Sequence, residues 1–281
     1  MPKQKNIHKE APNPQNELVA QGNDLIRHVR FQMSALEQNV IYYCLSKIKP
    51  TDTELMQQTF TIDEFCKACG ISTDVKAPGG FTYQRIRAAV KSVRDKSAWV
   101  EYSDGTEVLI SWFDTIAIKK GVGEITVVLS QSIKPYLIGL IERAKNGGEG
   151  YTQTHLLTYI SLQSKYGKRL YEVLKSYLYV KDTQEKIYKQ QIAQYSLDEL
   201  KSLLNAENYH RYQDLRRKVI EVAVREINTM TDIYVTYTLA KTNRKITHIE
   251  FVYGHKKAQE RLVSHKKALA KVNRTDAAKC T

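Results

Sequence analysis

The feature that most constrains this chain is a module that occurs twice. The first copy opens with Thr61-Ile62-Asp63-Glu64-Phe65 and continues through Tyr83-Gln84-Arg85-Ile86-Arg87-Ala88-Ala89-Val90. The second opens with Ser196-Leu197-Asp198-Glu199-Leu200 and continues through Tyr212-Gln213-Asp214-Leu215-Arg216-Arg217-Lys218-Val219. In each opening a hydroxyl residue stands three before a glutamate, the capping-box pattern that starts a helix by satisfying two orphan backbone donors together. A basic helix and a hairpin follow in both copies, which is the order of a winged helix. The predicted fold class is therefore α+β, two tandem winged-helix domains with a pseudo-twofold internal repeat.

A chain of 281 residues has room for two cores of ordinary size. Apolar runs are short and interrupted by charge, and Met1-Pro2-Lys3-Gln4-Lys5 lacks the apolar stretch of a signal peptide, so a cytoplasmic location and no membrane partner are expected. The formal charge of +13 is uneven: residues 1–149 carry 19 Lys+Arg against 17 Asp+Glu, and residues 150–281 carry 24 against 13. Such a balance predicts a polyanion partner, met mostly by the second half, because cationic surfaces gain affinity by releasing counterions from phosphates. Cys66-Lys67-Ala68-Cys69 has the spacing of a zinc or redox half-site, yet no second pair of ligands accompanies it. The thiols of Cys44, Cys66, Cys69 and Cys280 are read as packing groups, with no metal and no cofactor.

Along the chain, residues 1–20 are polar and read as a flexible tail, with order beginning near Asn23-Asp24-Leu25. Ser34 and Glu37 form another capping box, followed by Leu36, Val40, Cys44 and Ile48 at helical spacing before Pro50. Gln58-Thr59-Phe60 predicts a short strand, and Gly70 closes the helix after Thr61. Thr82 to Lys96 reads as a helix with Ile86, Val90 and Val93 inward. Trp99-Val100-Glu101-Tyr102 and Val108-Leu109-Ile110 flank an Asp-Gly turn and are taken as the first wing, with further strands at 116–118 and 125–129. Asn146 to Gly150 reads as a flexible boundary, dividing a first domain (21–145) from a second (151–255) and a basic extension (256–281). One helix from His155 to Tyr179, a basic helix from Tyr212 to Asn228 with Leu215, Val219, Val222, Ala223 and Ile227 inward, and a hairpin of 233–237 with 246–251 complete the second copy. The extension reads as an extra helix or a tail with general affinity for phosphate.

In a winged helix the third helix enters the major groove and the ribbon contacts backbone. Arg216, Arg217 and Gln213 are the candidate base readers, with His210 and Lys218 beside them; Lys241, Arg244 and Lys245 on the second wing would neutralise phosphates. In the first copy Tyr83, Arg85, Arg87 and Lys91 stand in the corresponding helix. Its expected wing carries Glu101, Asp104, Glu107 and Asp114, which phosphates repel. A division of labour is predicted, with the second copy as main reader and the first contributing weaker contacts and a surface for another protein.

At Asn23-Asp24-Leu25, Ser34-Ala35-Leu36-Glu37-Gln38, Tyr166-Gly167-Lys168-Arg169-Leu170-Tyr171-Glu172-Val173-Leu174, Asp214 to Val219 with Glu226-Ile227-Asn228, and Thr247 to Phe251, the chain resembles the theta-type plasmid replication initiators of the Rep_3 family. The resemblance spans residues 20 to 254. It implies two winged helices that bind repeated origin sites, called iterons, on double-stranded DNA, acting in initiation and copy-number control. As monomers such proteins help open an adjacent AT-rich duplex and recruit the host initiator and replicative helicase; as homodimers formed through the first domain many repress their own gene. It also implies that Arg216 and Arg217 fall on the arginine positions of the main recognition helix.

Enzymatic readings find little support. A rolling-circle nickase needs a His-hydrophobe-His metal site, and none of His8, His28, His155, His210, His248, His255 and His265 stands two residues from another. Tyr166-Gly167-Lys168 offers a Gly-Lys step, but a phosphate-cradling loop needs glycine where Leu162 stands. The expectation is a DNA binder and not an enzyme, the alternative being a winged-helix transcriptional regulator with no role in replication.

Overall fold

The three capping boxes start their helices where the sequence places them: the side chains of Ser34, Thr61 and Ser196 accept from the backbone of Glu37, Glu64 and Glu199, and each glutamate reaches back to the cap. Each such cap is worth about 1 kcal/mol. The structure is a computed structural model that describes residues 17–49, 52–72, 80–101, 105–178, 190–242 and 245–277. The expected tail at 1–16, Pro50, Asp104, Arg244 and Cys280 lie outside the described residues.

The first half runs β1 (Leu18–Gly22), α1 (Asn23–His28), α2 (Ala35–Leu45), β2 (Gln58–Thr61), α3 (Ile62–Cys69), α4 (Phe81–Arg94), β3 (Ser97–Glu101), β4 (Glu107–Ser111), β5 (Phe113–Lys119), β6 (Glu124–Leu129), a 3-10 turn at Gln131–Tyr136 and α5 (Leu140–Lys145). The second half runs β7 (Tyr151–His155), α6 (Leu156–Ser161), α7 (Lys165–Ser176), β8 (Gln191–Ser196), α8 (Leu197–Leu204), α9 (Tyr212–Leu215), a π-helical turn at Arg216–Ile220, α10 (Glu221–Met230), β9 (Ile233–Thr242), β10 (Lys245–His255) and α11 (Ala258–Ala277). Among the described residues no helix is long and apolar enough to cross a membrane.

Sheet order corrects the expected wing. The first half holds β2-β6-β5 and the second β8-β10-β9, so in each the strand before the capping box pairs with the last strand of a hairpin. By that correspondence the first wing is β5–β6. The Trp99 ribbon, β3–β4, forms a separate two-stranded sheet inserted before it. Two further differences come from local chemistry. The long helix expected over 155–179 breaks after Ser161 because Ser164 caps a new helix, accepting from the backbone of Tyr166 and Gly167, while Glu226 accepts from the amides of Gln163 and Ser164. And β1 takes Leu18 to Ala20 out of the expected tail by pairing antiparallel with β7, from Leu18↔His155 to Gly22↔Tyr151. This ribbon joins the two halves.

The halves share a seam. Tyr42 of α2 and Tyr159 of α6 are buried and stacked face to face, and the Tyr159 hydroxyl donates to Gln38 Oε1 at 3.1 Å. Arg169 Nη2 donates to the carbonyls of Ile26 (2.7 Å) and Val29 (3.1 Å), closing the end of α1. The expected flexible boundary is held as well: Asn23 donates to the carbonyls of Glu149 and Gly150, and the Glu149 carboxylate meets Arg27 at 3.2 Å and His28 at 3.0 Å. The thiols of Cys44, Cys66 and Cys69 are free and buried; burial pushes Cys44 up to about 12 and Cys66 to about 11, so these groups pack as expected.

Lys168, in the same seam, is fully buried, donates to the Tyr159 carbonyl and lies 4.2 Å from the centre of the Tyr159 ring. Desolvation lowers its pKa from 10.5 to about 7. Between those values the unfolded chain binds more protons than the folded one, so stability rises with pH across the window, by up to about 1.4 kcal/mol per unit. Urea midpoints from pH 7 to 9 should climb for the natural chain, and Lys168→Met should flatten that climb. Parallel slopes for the two proteins would show that the amine titrates normally.

Candidate nucleic-acid interface

The helix built from α9, the π turn and α10 presents the second half's basic residues. Its buried residues are Leu215, Val219, Ile220, Ala223 and Ile227, whereas Val222, expected inward, is half-exposed. The π turn adds one residue to the turn, so Ile220 enters the core and the outward face is re-phased; such insertions recur at functional sites. Across it, Arg216 Nε and Glu221 Oε1 pair at 2.8 Å, five residues apart. A hydrogen bond to Tyr237 on β9, then one to Glu221, raises the Arg216 pKa. Arg216 is thus tied to Glu221 across the turn. Arg217 is the opener of the two, its side chain 74% exposed against 52%, with Asp214 at 3.6 Å. Lys218 lies 3.3 Å from the same carboxylate, and Gln213 and His210 are exposed at the start of the helix. All stand on one end of the module.

The blocks that carry the family resemblance hold this helix in place. Gly167 lets it approach α7: a Cβ there would stand 2.7 Å from Glu226 Oε2 and 3.6 Å from the Ala223 Cα. Glu226, in the Glu-Ile-Asn block, caps α7 as described above. Asn228, in the same block, donates to the Val235 carbonyl and accepts from its amide, both at 2.8 Å, which fastens α10 to β9. These are brackets for a reading helix, recognisable in sequence but not as brackets.

Lys241 is exposed near the tip of the second wing; Arg244 and the side chain of Lys245 lie outside the described residues. In the first half α4 buries Ile86, Ala89, Val90 and Val93 and leaves Arg85, Arg87, Lys91 and Arg94 exposed. Lys91 pairs with Asp95, Arg85 lies 5.6 Å from the Phe81 ring, and Tyr83 is half-buried against the core. The first wing, β5–β6, has Lys119 and Lys120 exposed at its tip, two residues the sequence reading missed. Their signal was present: Lys119-Lys120-Gly121-Val122-Gly123 joins two strands, but the Asp-Gly turn upstream is a stronger hairpin mark. Glu107 and Asp114 do not lie at this tip; the Asp114 carboxylate accepts from the Gln131 amide and its carbonyl from Arg94 at 2.9 Å. Both halves therefore pair a basic helix with a wing carrying exposed lysine.

Comparison with known proteins agrees with this geometry. Residues 18–175 match the family described as Initiator Replication protein, WH1, and residues 196–253 match Initiator Rep protein, WH2. The WH1 match runs past the strand repeat and takes in α6 and α7. A curated Escherichia coli protein described as a replication initiation protein is 27% identical over 223 residues, covering 78% of this chain and 62% of that protein. The chain thus spans less than two thirds of that relative's length. The Pi initiator protein, crystallised in complex with iteron DNA, shares the fold with a TM-score of 0.65 at 19% identity, over 86% of this chain and 99% of that one.

Neutral substitution of both Lys119 and Lys120 should reduce the steepness of log affinity against log salt on duplex DNA by about 0.9 per lysine. Glu107→Gln, on the inserted ribbon, should leave it unchanged. The opposite pattern would return the first wing to the Trp99 ribbon.

Proposed function

The chain belongs to the replication initiator family whose two winged-helix descriptions it matches, and from that premise we propose that it starts plasmid replication by binding direct repeats in an origin. The observation that carries this reading is the pairing of two winged helices, each with an exposed basic helix and an exposed basic wing tip, across a hydrogen-bonded seam. A relative of the same fold was crystallised on iteron DNA, which supports that substrate. Bound as a monomer, the protein sets one reading helix per half into the major groove, and wing lysines hold the backbone. Binding energy and duplex deformation then favour opening of adjacent AT-rich DNA, where the host initiator and replicative helicase are recruited. Arg217 is the base reader, and Arg216, held by Glu221, stiffens the start of the helix.

The first half also supplies a surface for a second copy of the chain. Trp99 and Leu109 face each other across β3–β4 and are 63% and 49% exposed, an apolar pair on a ribbon that pairs with no other strand among the described residues. A homodimer closed there represses the protein's own gene, and Trp99→Ser should shift sedimentation toward monomer. An unchanged dimer would place the contact elsewhere.

Footprinting on DNA flanking the gene tests the main reading. Direct repeats about two helical turns apart are expected, and a single inverted repeat as the whole binding region would instead make the protein a transcriptional regulator. On the same DNA, Arg217→Ala should cost about 1–3 kcal/mol of specific binding and little of non-specific binding; equal losses would mean that Arg217 touches only phosphate.

A further inference from the structure

Helix α11 follows the last residue matched by either family description, residue 253, and it is anchored in both halves. At its start, Lys256 is buried and its Nζ donates to the carbonyls of Asn228 (2.7 Å) and Thr231 (2.8 Å) and to Ser264 Oγ (2.9 Å), tying the end of α10 to α11. The Lys256 amide donates to the Asp232 carbonyl at 2.9 Å. Along the helix Ser264, Ala268 and Val272 form one buried stripe at four-residue spacing, against α6 and α10. At its far end Val272 sits on Gly70, the left-handed cap of α3 that leads toward α4: a Cβ on Gly70 would stand 2.3 Å from the Val272 carbonyl oxygen and 2.9 Å from its Cγ1. Glycine is required there twice over, by its positive φ and by this approach. The equivalent cap in the second half, Asn205, is gripped across the seam too, donating to the Phe31 carbonyl at 3.2 Å.

One helix thus runs from the end of one recognition helix to the cap of α3, the helix that precedes the other. We propose that α11 is a strap that fixes the spacing and phase of the two recognition helices on DNA, with Lys256 and Val272 as its positioning residues. This rests on the DNA-binding reading above. Domains in one chain ordinarily move against each other unless a firm contact prevents it. When two modules are held rigidly, the second binds at the effective concentration that the link allows, and that advantage disappears when the sites fall out of phase.

The test uses the full chain. With Cys280→Ser, labels at Ala88→Cys and Arg225→Cys on the exposed faces of α4 and α10 report the distance between the helices without DNA. A single narrow distribution is expected for this parent and for Val272→Ile, a broad one for Val272→Asp, and an intermediate one for Val272→Ala, which removes only two methyl groups at the helix end. In parallel, inserting 5 bp between the two contacted grooves turns them about half a turn apart. That insertion should weaken binding on the order of tenfold for the parent and Val272→Ile, and much less for Val272→Asp. Equal distance widths and equal insertion penalties in all variants would overturn the strap. Failure of the unlabelled natural chain to bind origin DNA would overturn the functional reading instead, and the DNA-free distances would still decide whether α11 holds the halves.

Discussion

The structure depends on helix α7 being packed on both of its sides. Gly167 opens one face to α10, so the recognition helix lies close enough for Glu226 to cap α7 in return. Lys168 and Arg169, the next two residues, reach the Tyr159 carbonyl at the edge of the seam and, across it, the end of α1. One turn of helix therefore braces the α9–α10 helix within its own half and contributes contacts to the seam with the other. Burying an ammonium is costly, and a carbonyl acceptor with an aromatic face offsets only part of that cost, which is why its proton is held so weakly. A group this expensive to bury constrains what the seam can become, since any arrangement that exposes Lys168 regains its hydration.

What could be read from sequence was what local chemistry decides. The capping boxes, the helix of α4 with its inward stripe, and the hairpins at β3–β4 and β9–β10 are written in neighbouring residues, and each forms as expected. What escaped was decided by distant partners. Tyr151-Thr152-Gln153-Thr154-His155 is too polar to announce a strand, and it becomes one because β1 lies across it. The choice of wing was likewise non-local: two hairpins follow α4, and only their pairing with β2 shows that the second one completes the sheet. An Asp-Gly turn marks a hairpin, not its role.

That correction changes the balance between the halves. Read with the Trp99 ribbon as wing, the first half has an acidic arm that phosphate repels; read with β5–β6, it offers Lys119 and Lys120. The excess of positive charge in the second half remains, so the two halves still differ in how strongly they attract a polyanion. The difference is one of degree at similar surfaces. The inserted ribbon carries a tryptophan and a leucine that face solvent together.

The reading helix shows how one inserted residue separates two adjacent arginines. In an uninterrupted helix Val222 would lie inward, and Arg216 would reach partners three or four residues away. The π turn instead brings Ile220 into the core and sets Glu221 beside Arg216. The Arg216 Nε is committed to Glu221, whereas the Arg217 side chain is the more exposed of the two. Side-chain freedom that Arg216 gives up in folding need not be given up again, so the two neighbours differ in how far folding has already ordered them. The division follows from backbone geometry, because both residues are arginine and nothing in their own chemistry distinguishes them.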